Sequence, residues 1–344
     1  MTSLFIATAT PELQKIAWGE LVAVDADLRR RGLFKDGVFM VESGLEGQAF
    51  AQAVVAADPI FVKHIMPVQR QVELGGAMEA DLAALEGAVL ELEPLPTGAP
   101  FSVQCRRVGP AADYRAKDVE VRLGMRLEEL GGVPRFSDMD AQVDPKQQVV
   151  SIFLFGSRGY VGRSAAGENL NDHCDEYRIF SRHARAVSRA EFKLLEALRK
   201  FGLQVNGGRA IDLGAAPGGW TKVLADRGME VVAIDPGQLL PVVTALPGVT
   251  YVQGKAEDYE GDGEFDLLVN DMNMDPEDSA KLMVDMAPWL KQGSQAVLTV
   301  KLVIRNPDRL LENTRQVLEP AYAIERIKHL FHNRLEVTVL LRRR

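Results

Sequence analysis

From about residue 178 to the C-terminus, short β-rich runs alternate with helical patterns, and the rhythm breaks only at the end. The runs RAIDLG, EVVAID, VTYVQG, FDLLVND and SQAVLTVKLV are separated by GWTKVLADRG, a turn, and AKLMVDMAPWLKQG. Apolar runs spaced by helices predict parallel strands buried on both faces, in a doubly wound α/β sheet. The last two runs, IERIKHLF and RLEVTVLLRRR, have only the His332–Asn333 turn between them. That spacing predicts an antiparallel hairpin closing a parallel sheet.

Within this region, IDLGAAPGGW (211–220) leaves a buried strand, turns at Gly214 and re-enters a helix near Gly218 and Gly219. Glycines there tolerate positive φ and let a ligand approach the backbone. The spacing Gly-x-x-x-Gly-Gly differs from the dinucleotide fingerprint G-x-G-x-x-G. Pro217 also removes a donor from any pyrophosphate cradle, which counts against a nicotinamide-dependent oxidoreductase. Asp235, at the end of the next strand, can accept two ribose hydroxyls, as nucleoside cofactors of several kinds require.

The N-terminal half reads differently. SLFIATAT, a helix over 11–32 and GVFMVES open a unit of alternating strands and helices. It is expected to be a ferredoxin-like α+β domain over 1–94, ending at the Pro-rich PLPTGAP. Residues 95–170 then run from FSVQCRRVG through a helix at 114–130 to two strands hinged at 156–159. This order, with Arg106–Arg107 ending a strand and a closing GYVG turn, resembles the THUMP domain, an RNA-binding module. The resemblance implies RNA contact by Arg106, Arg107, Arg158 and Arg163. The polar stretch 165–176 is expected to link into the last domain, 178–344.

Bulk properties narrow the classes further. At 344 residues, two or three domains are the natural prior. A net charge of -8 sits awkwardly with a nucleic-acid partner. Locally, however, Arg178, Arg182, Arg185, Arg189, Lys193, Arg199 and Lys200 face only Glu191 and Glu196. The two cysteines, Cys105 and Cys174, belong to no metal-ligand or disulfide pattern, which fits a reducing compartment. With no basic leader and no long apolar stretch, a cytoplasmic protein is expected.

SRAEFKLLEA, DLGAAPGGWT, KLVIRNPDR and LEVTVLLRRR together resemble the FtsJ-type 2′-O-ribose RNA methyltransferases, a family with a class I S-adenosyl-L-methionine-dependent fold. The whole chain is most similar to the RlmM-like branch, which carries a THUMP-containing N-terminal half. That branch methylates a cytidine ribose of large-subunit (23S) ribosomal RNA. The resemblance implies a catalytic tetrad of Lys193, Asp271, Lys301 and Glu336. It places Ala216, Pro217, Gly218, Gly219, Trp220, Asp235 and Asp271 at cofactor contacts. One departure is Lys255, where the family carries an acid beside adenine.

The chemistry accounts for these residue types. A 2′-hydroxyl is a poor acid, so a base must take its proton as the oxygen attacks a methyl group held in line. Lys301, ending a buried strand, is the expected base, because burial and the nearby Lys193 favour its neutral form. Asp271 is expected to orient Lys301, and Glu336 to balance Lys193. Ser188 and Glu191 form an S-x-x-E capping signature, which predicts a helix with Lys193 in its second turn. Two alternatives remain on sequence grounds: a catalytically idle RNA-binding or ribosome-assembly protein, and the same chemistry on transfer RNA.

Overall fold

The computed structural model describes residues 2–33, 37–109, 112–134, 144–170, 187–261, 263–302 and 306–344. The chain divides into two compact units, Met1–Ile179 and Phe180–Arg344.

In the first unit, β1 (Ser3–Thr8), α1 (Gln14–Val24), β2 (Arg29–Leu33), β3 (Val38–Ser43), α2 (Ala49–Ala57) and β4 (His64–Pro67) build a sheet ordered β2-β3-β1-β4. Sequence periodicity extends the first helix to Gly32, but the structure ends it at Val24 and makes 29–33 a strand. Asp25 supplies the reason. Its carboxylate accepts the Asp27 N–H at 3.0 Å, the Gly44 N–H at 3.2 Å and the Ser43 hydroxyl at 2.5 Å. A side chain that bonds backbone in this way competes with the helix and fixes a turn.

A second sheet follows in the same unit. It comprises β5 (Arg70–Glu73), β6 (Pro100–Val108), β7 (Val133–Pro134), β8 (Gln148–Phe155) and β9 (Arg158–Ala165), in the order β5-β9-β8-β6-β7. Helices α3 (Met78–Leu90) and α4 (Ala116–Glu129) cover one face, packing Leu82, Leu85, Val119 and Leu123 on Cys105, Ile152 and Val161. On the other face Val108, Phe153 and Tyr160 meet Ile6, Val38 and Met66 of the first sheet. β5 lies before residue 94 yet belongs to this second sheet, and α3, also before residue 94, packs on it. The stretch expected to be a linker from 165 begins as folded structure: Ala165 closes β9 and Asn169 is fully buried. The rest of that linker, with Cys174, Arg178, Arg182 and Arg185, lies outside the described residues.

The second unit opens with α5 (Ala190–Phe201) and then alternates: β10 (Arg209–Leu213), α6 (Gly219–Ala225), β11 (Glu230–Ile234), α7 (Pro241–Thr244), β12 (Val249–Val252), β13 (Phe265–Asn270), α8 (Pro276–Met286) and β14 (Leu290–Lys301). Helix α9 (Pro307–Leu318) and strands β15 (Tyr322–Lys328) and β16 (Glu336–Arg343) complete it. Strand alternation alone gives no sign of α9. Its start is nonetheless written locally, with Asn306 Oδ1 accepting the Arg309 N–H at 3.2 Å and Pro307 in the first helical position.

The sheet order is β12-β11-β10-β13-β14-β16-β15. β10 to β14 run parallel, and β16 is antiparallel to both neighbours. The expected closing hairpin is present, but residues 329–335 form its connection in place of a two-residue turn. Chain direction across the sheet reverses between β10 and β13. In open α/β sheets the crevice at the carboxyl ends of such a pair is where ligands bind.

Candidate active site

All four residues of the expected tetrad meet at that carboxyl edge. Asp271 follows β13 directly, Lys301 is the last residue of β14, and Glu336, the first of β16, stands opposite Lys301 in the antiparallel register. Lys193 reaches the same point from α5. Its Nζ lies 2.9 and 3.0 Å from the two Asp271 oxygens and 2.7 Å from Glu336 Oε1. Lys301 Nζ is paired with Glu336 Oε2.

The groups thus form a row of alternating charge: Asp271, Lys193, Glu336, Lys301. This differs from the expected pairing. Asp271 holds Lys193, not Lys301, and Glu336 stands between the two lysines and binds both. Burial pushes Lys193 toward the neutral amine, but the Asp271 and Glu336 carboxylates outweigh it and hold its pKa above the ordinary lysine value. Burial likewise pushes Glu336 up, yet Lys193 and Lys301 outweigh it and keep it below the usual carboxylate range. Side-chain exposure rises from 6% at Glu336 and 16% at Lys193 to 27% at Lys301. Of the two lysines, Lys193 is held as a cation and Lys301 is the more exposed.

The sequence builds this row from local signals. Glu191 Oε1 accepts the Ser188 N–H at 3.2 Å, so one half of the capping signature forms. The other half does not. α5 begins at Ala190, which puts Lys193 in its first turn. A cation there opposes the helix dipole, and the two carboxylates compensate.

Beside the row, the chain turns from β10 into α6. Gly214 has φ +73° and Gly218 φ +112°, both in the left-handed region that favours glycine. A Cβ on Gly214 would strike the Met272 side chain, one on Gly218 would come within 2.8 Å of Val243, and one on Gly219 would fall on Ser188 Oγ. That hydroxyl is buried without a hydrogen-bond partner among the described residues. Sequence reasoning used Ser188 only as a helix cap. Its place against the glycine turn, set by α5 packing on α6, was not legible from spacing.

Ala216 and Pro217 form the turn itself, joined by a cis peptide bond. Asp235 accepts the Ala216 N–H at 3.0 Å and the Gly237 N–H at 2.6 Å, one on each oxygen. Each oxygen keeps a further lone pair for a ribose hydroxyl. The Trp220 side chain is 3% exposed and its Nε1–H donates to the Ala190 carbonyl at 2.7 Å. Its indole therefore ties α6 to α5, and what Trp220 offers a ligand is its main-chain N–H in the first helical turn. Lys255, Glu257 and Asp258 are exposed around a short turn after β12.

Asp212, at the end of β10, is 1% exposed and accepts the Thr221 hydroxyl at 2.7 Å. Burial pushes its pKa up to about 7, and the negative Asp271 and Asp235 push the same way. These groups suit S-adenosyl-L-methionine. Ser188 and the first-turn amides of α6 would hold its amino-acid end, and Asp235 its ribose.

In the first unit the four arginines do not form one surface. Register pairs Arg106 with Phe153, and Phe153 with Tyr160. Arg106 and Arg158 therefore share the Tyr160 face, while Arg107 and Arg163 share the opposite, Val161 face. Three of them also have another task. Arg107 lies 4.5 Å above the Tyr114 ring, Arg158 pairs with Glu73 at 3.4 Å, and Arg163 with Glu93 at 3.5 Å. Arg106 is half-buried. Alternation along each strand is the physical reason that linear proximity did not make a patch.

A parallel sheet in this strand order, closed by an antiparallel last strand and carrying the glycine turn after its first strand in sequence, β10, defines a class I S-adenosyl-L-methionine-dependent methyltransferase fold. Residues 186–330, within the second unit, match the FtsJ-like methyltransferase family. Among curated relatives, "Ribosomal RNA large subunit methyltransferase M" of Halorhodospira halophila is 38% identical over 167 residues, covering 46% of this chain and 48% of that protein. The protein of that name from Edwardsiella ictaluri is 35% identical over 219 residues, covering 59% and 57%. The chain thus spans about half the length of the curated relatives it matches. TrmN from Thermus thermophilus aligns with 99% of this chain and 100% of its own at 18% identity and a TM-score of 0.39, too distant to carry an argument. No helix among the described residues is long and apolar enough to cross a membrane.

Proposed function

We propose that this protein is a 2′-O-ribose methyltransferase acting on RNA, with a cytidine of large-subunit (23S) ribosomal RNA as its substrate and the cytoplasm as its place of action. The observation that carries the reading is the charge row at the carboxyl edge of the sheet, with its one open lysine next to the glycine turn. Bound S-adenosyl-L-methionine supplies an electrophilic methyl group. Lys301, after losing its own ammonium proton to solvent, takes the 2′-hydroxyl proton as the oxygen attacks, which is the work of a positioned general base. Glu336 holds the Lys301 amine in place and, as an anion, balances the positive charge that develops on it. Lys193 fixes Glu336 and remains protonated throughout, and Asp271 anchors Lys193. The names of the relatives supply the ribosomal RNA.

A complete row also speaks against a catalytically idle binding protein, which would have no need to keep two lysines and two carboxylates half-buried together. The test is incubation of the purified protein with methyl-labelled cofactor and, separately, unmodified large-subunit ribosomal RNA and bulk transfer RNA, followed by mapping of ribose methylation. One methylated cytidine in the ribosomal RNA is expected. Label in transfer RNA alone would move the substrate, and label on a base would overturn the 2′-hydroxyl chemistry.

A further inference from the structure

Three members of the charge row are placed by the sheet itself. Asp271 leaves β13, Lys301 ends β14, and Glu336 is paired to Lys301 by strand register. Lys193 is different. It comes from a helix that no ladder of hydrogen bonds attaches to the sheet, so something else must fix it to within a fraction of an ångström.

Glu196 sits three residues after Lys193 on α5 and is only 2% exposed. A carboxylate so buried must be paired and hydrogen-bonded, and the connection 329–335 supplies three of its hydrogen bonds. It accepts the Phe331 N–H at 2.7 Å, the His332 N–H at 2.9 Å and the His332 Nδ1–H at 2.8 Å. The His332 ring also packs against Phe192 of α5, centroids 5.5 Å apart.

That connection is itself rigid. Asn333 Oδ1 accepts the Leu330 N–H at 2.7 Å and the Thr338 hydroxyl at 3.2 Å, and His329 Nε2 bonds the Arg334 carbonyl at 2.8 Å. The Leu302 N–H donates to the Leu335 carbonyl at 2.8 Å, joining the loop to the residue after Lys301. Glu336 follows Leu335. The loop that launches Glu336 is therefore bolted to the helix that carries Lys193, and Glu196 is the bolt.

We propose that Glu196 is a positioning residue for methyl transfer: by gripping the 331–332 backbone and His332, it sets Lys193 against Glu336 and so holds Lys301 in its working position. Charge explains the choice of a carboxylate. Charge-assisted bonds to main-chain N–H groups are short and strong, and two adjacent N–H donors fix the loop along and across the helix axis. Trp220, through Ala190, tethers the start of the same helix to the cofactor turn. Lys193 lies between these two tethers.

The proposal rests on the tetrad reading above, and its test separates the two. Glu196→Ala and Lys193→Ala are made singly and together, and single-turnover methylation is measured at saturating cofactor and RNA, with S-adenosylhomocysteine affinity and melting recorded alongside. Misplacement by about 1 Å costs on the order of 100-fold in rate, so Glu196→Ala is expected to slow transfer by about 10- to 100-fold. Affinity for S-adenosylhomocysteine should change little. In the Lys193→Ala background the Glu196→Ala loss should largely vanish, because coupled residues are non-additive. Full multiplication of the two losses overturns the proposal.

If Glu196→Ala does not fold, His332→Ala, which removes one donor and leaves both main-chain donors, runs the same cycle, and additivity there is equally fatal. A wild-type protein inactive on every RNA overturns the proposed function instead. The positioning claim is then decided by a crystal structure of the Glu196 or His332 variant. Lys193 still within hydrogen-bond distance of both Asp271 and Glu336 would overturn it.

Discussion

Lys193 bonds both oxygens of Asp271, at 2.9 and 3.0 Å, although 78 residues separate them in sequence. Both oxygens of one carboxylate thus bind the less exposed of the two lysines. The pair makes Lys193 a fixed cation, and through Glu336 it bears on Lys301, which performs the proposed chemistry.

Lys301→Ala should abolish transfer while leaving cofactor binding nearly intact. Loss of a positioned base costs about 10²–10⁴ in rate. Lys301→Arg should fail equally, since guanidinium stays protonated and cannot accept the hydroxyl proton. Single-turnover kinetics of both variants check this, and near wild-type rates for Lys301→Arg would reduce Lys301 to a positioning charge.

Lys193→Ala should lower stability most near neutral pH. The sign follows from the two shifts. Glu336 is held below its ordinary value of 4.5, so its stabilisation is present above 4.5 and lost as pH falls through the lower folded value. Lys193 is held above 10.5, so its stabilisation is present below 10.5 and lost as pH rises through the higher folded value. Hydrogen bonds between charged groups contribute about 1.5–3 kcal/mol. The difference in melting temperature between wild type and variant should shrink at both ends of that window.

Asp212 gives the opposite slope. Its pKa is raised from 3.8 to about 7, so the folded protein favours the protonated acid and loses stability as pH rises through that interval. Asp212→Asn keeps an acceptor for Thr221 and removes the titration. Melting of the variant between pH 5 and about 8 should be flatter than that of wild type. An unchanged slope would show that Asp212 is ionised throughout.

Asp235→Ala should weaken S-adenosyl-L-methionine by about 1.5–3 kcal/mol, the scale of hydrogen bonds to a charged acceptor. The Ala216 and Gly237 N–H groups lose their acceptor as well, so the glycine turn should also loosen. Calorimetry with the cofactor and with NAD reads both points, and NAD binding in its place would remove the methyltransferase assignment.

Arg107→Ala should lower the melting temperature with little effect on RNA affinity, because its guanidinium lies over Tyr114. Arg189, exposed at the N-cap of α5, should behave in reverse. Its loss should weaken RNA binding and lower the salt-dependence slope by about one phosphate contact. Filter binding at several salt concentrations distinguishes the two.

The sheet and the glycine turn that follows β10 were legible in the sequence because local rules write them. Apolar runs at strand length, glycines at 214 and 218 and the closing β-rich runs each act within a few residues. Helix α9 was missed although Asn306 and Pro307 signal its start, since strand alternation says nothing about helices at the sheet's end. The four residues of the tetrad were named from motifs, but which carboxylate serves which lysine was not. Pairing depends on where α5 lies against the sheet, and that is fixed by Glu196 gripping residues 331 and 332 and by Trp220 reaching Ala190. Likewise, strand alternation split Arg106 from Arg107 once the sheet was covered on both faces. Residue type, spacing and the family resemblance named the groups proposed to carry the chemistry. Only tertiary packing, acting across more than a hundred residues between Glu196 and His332, decided which charges touch.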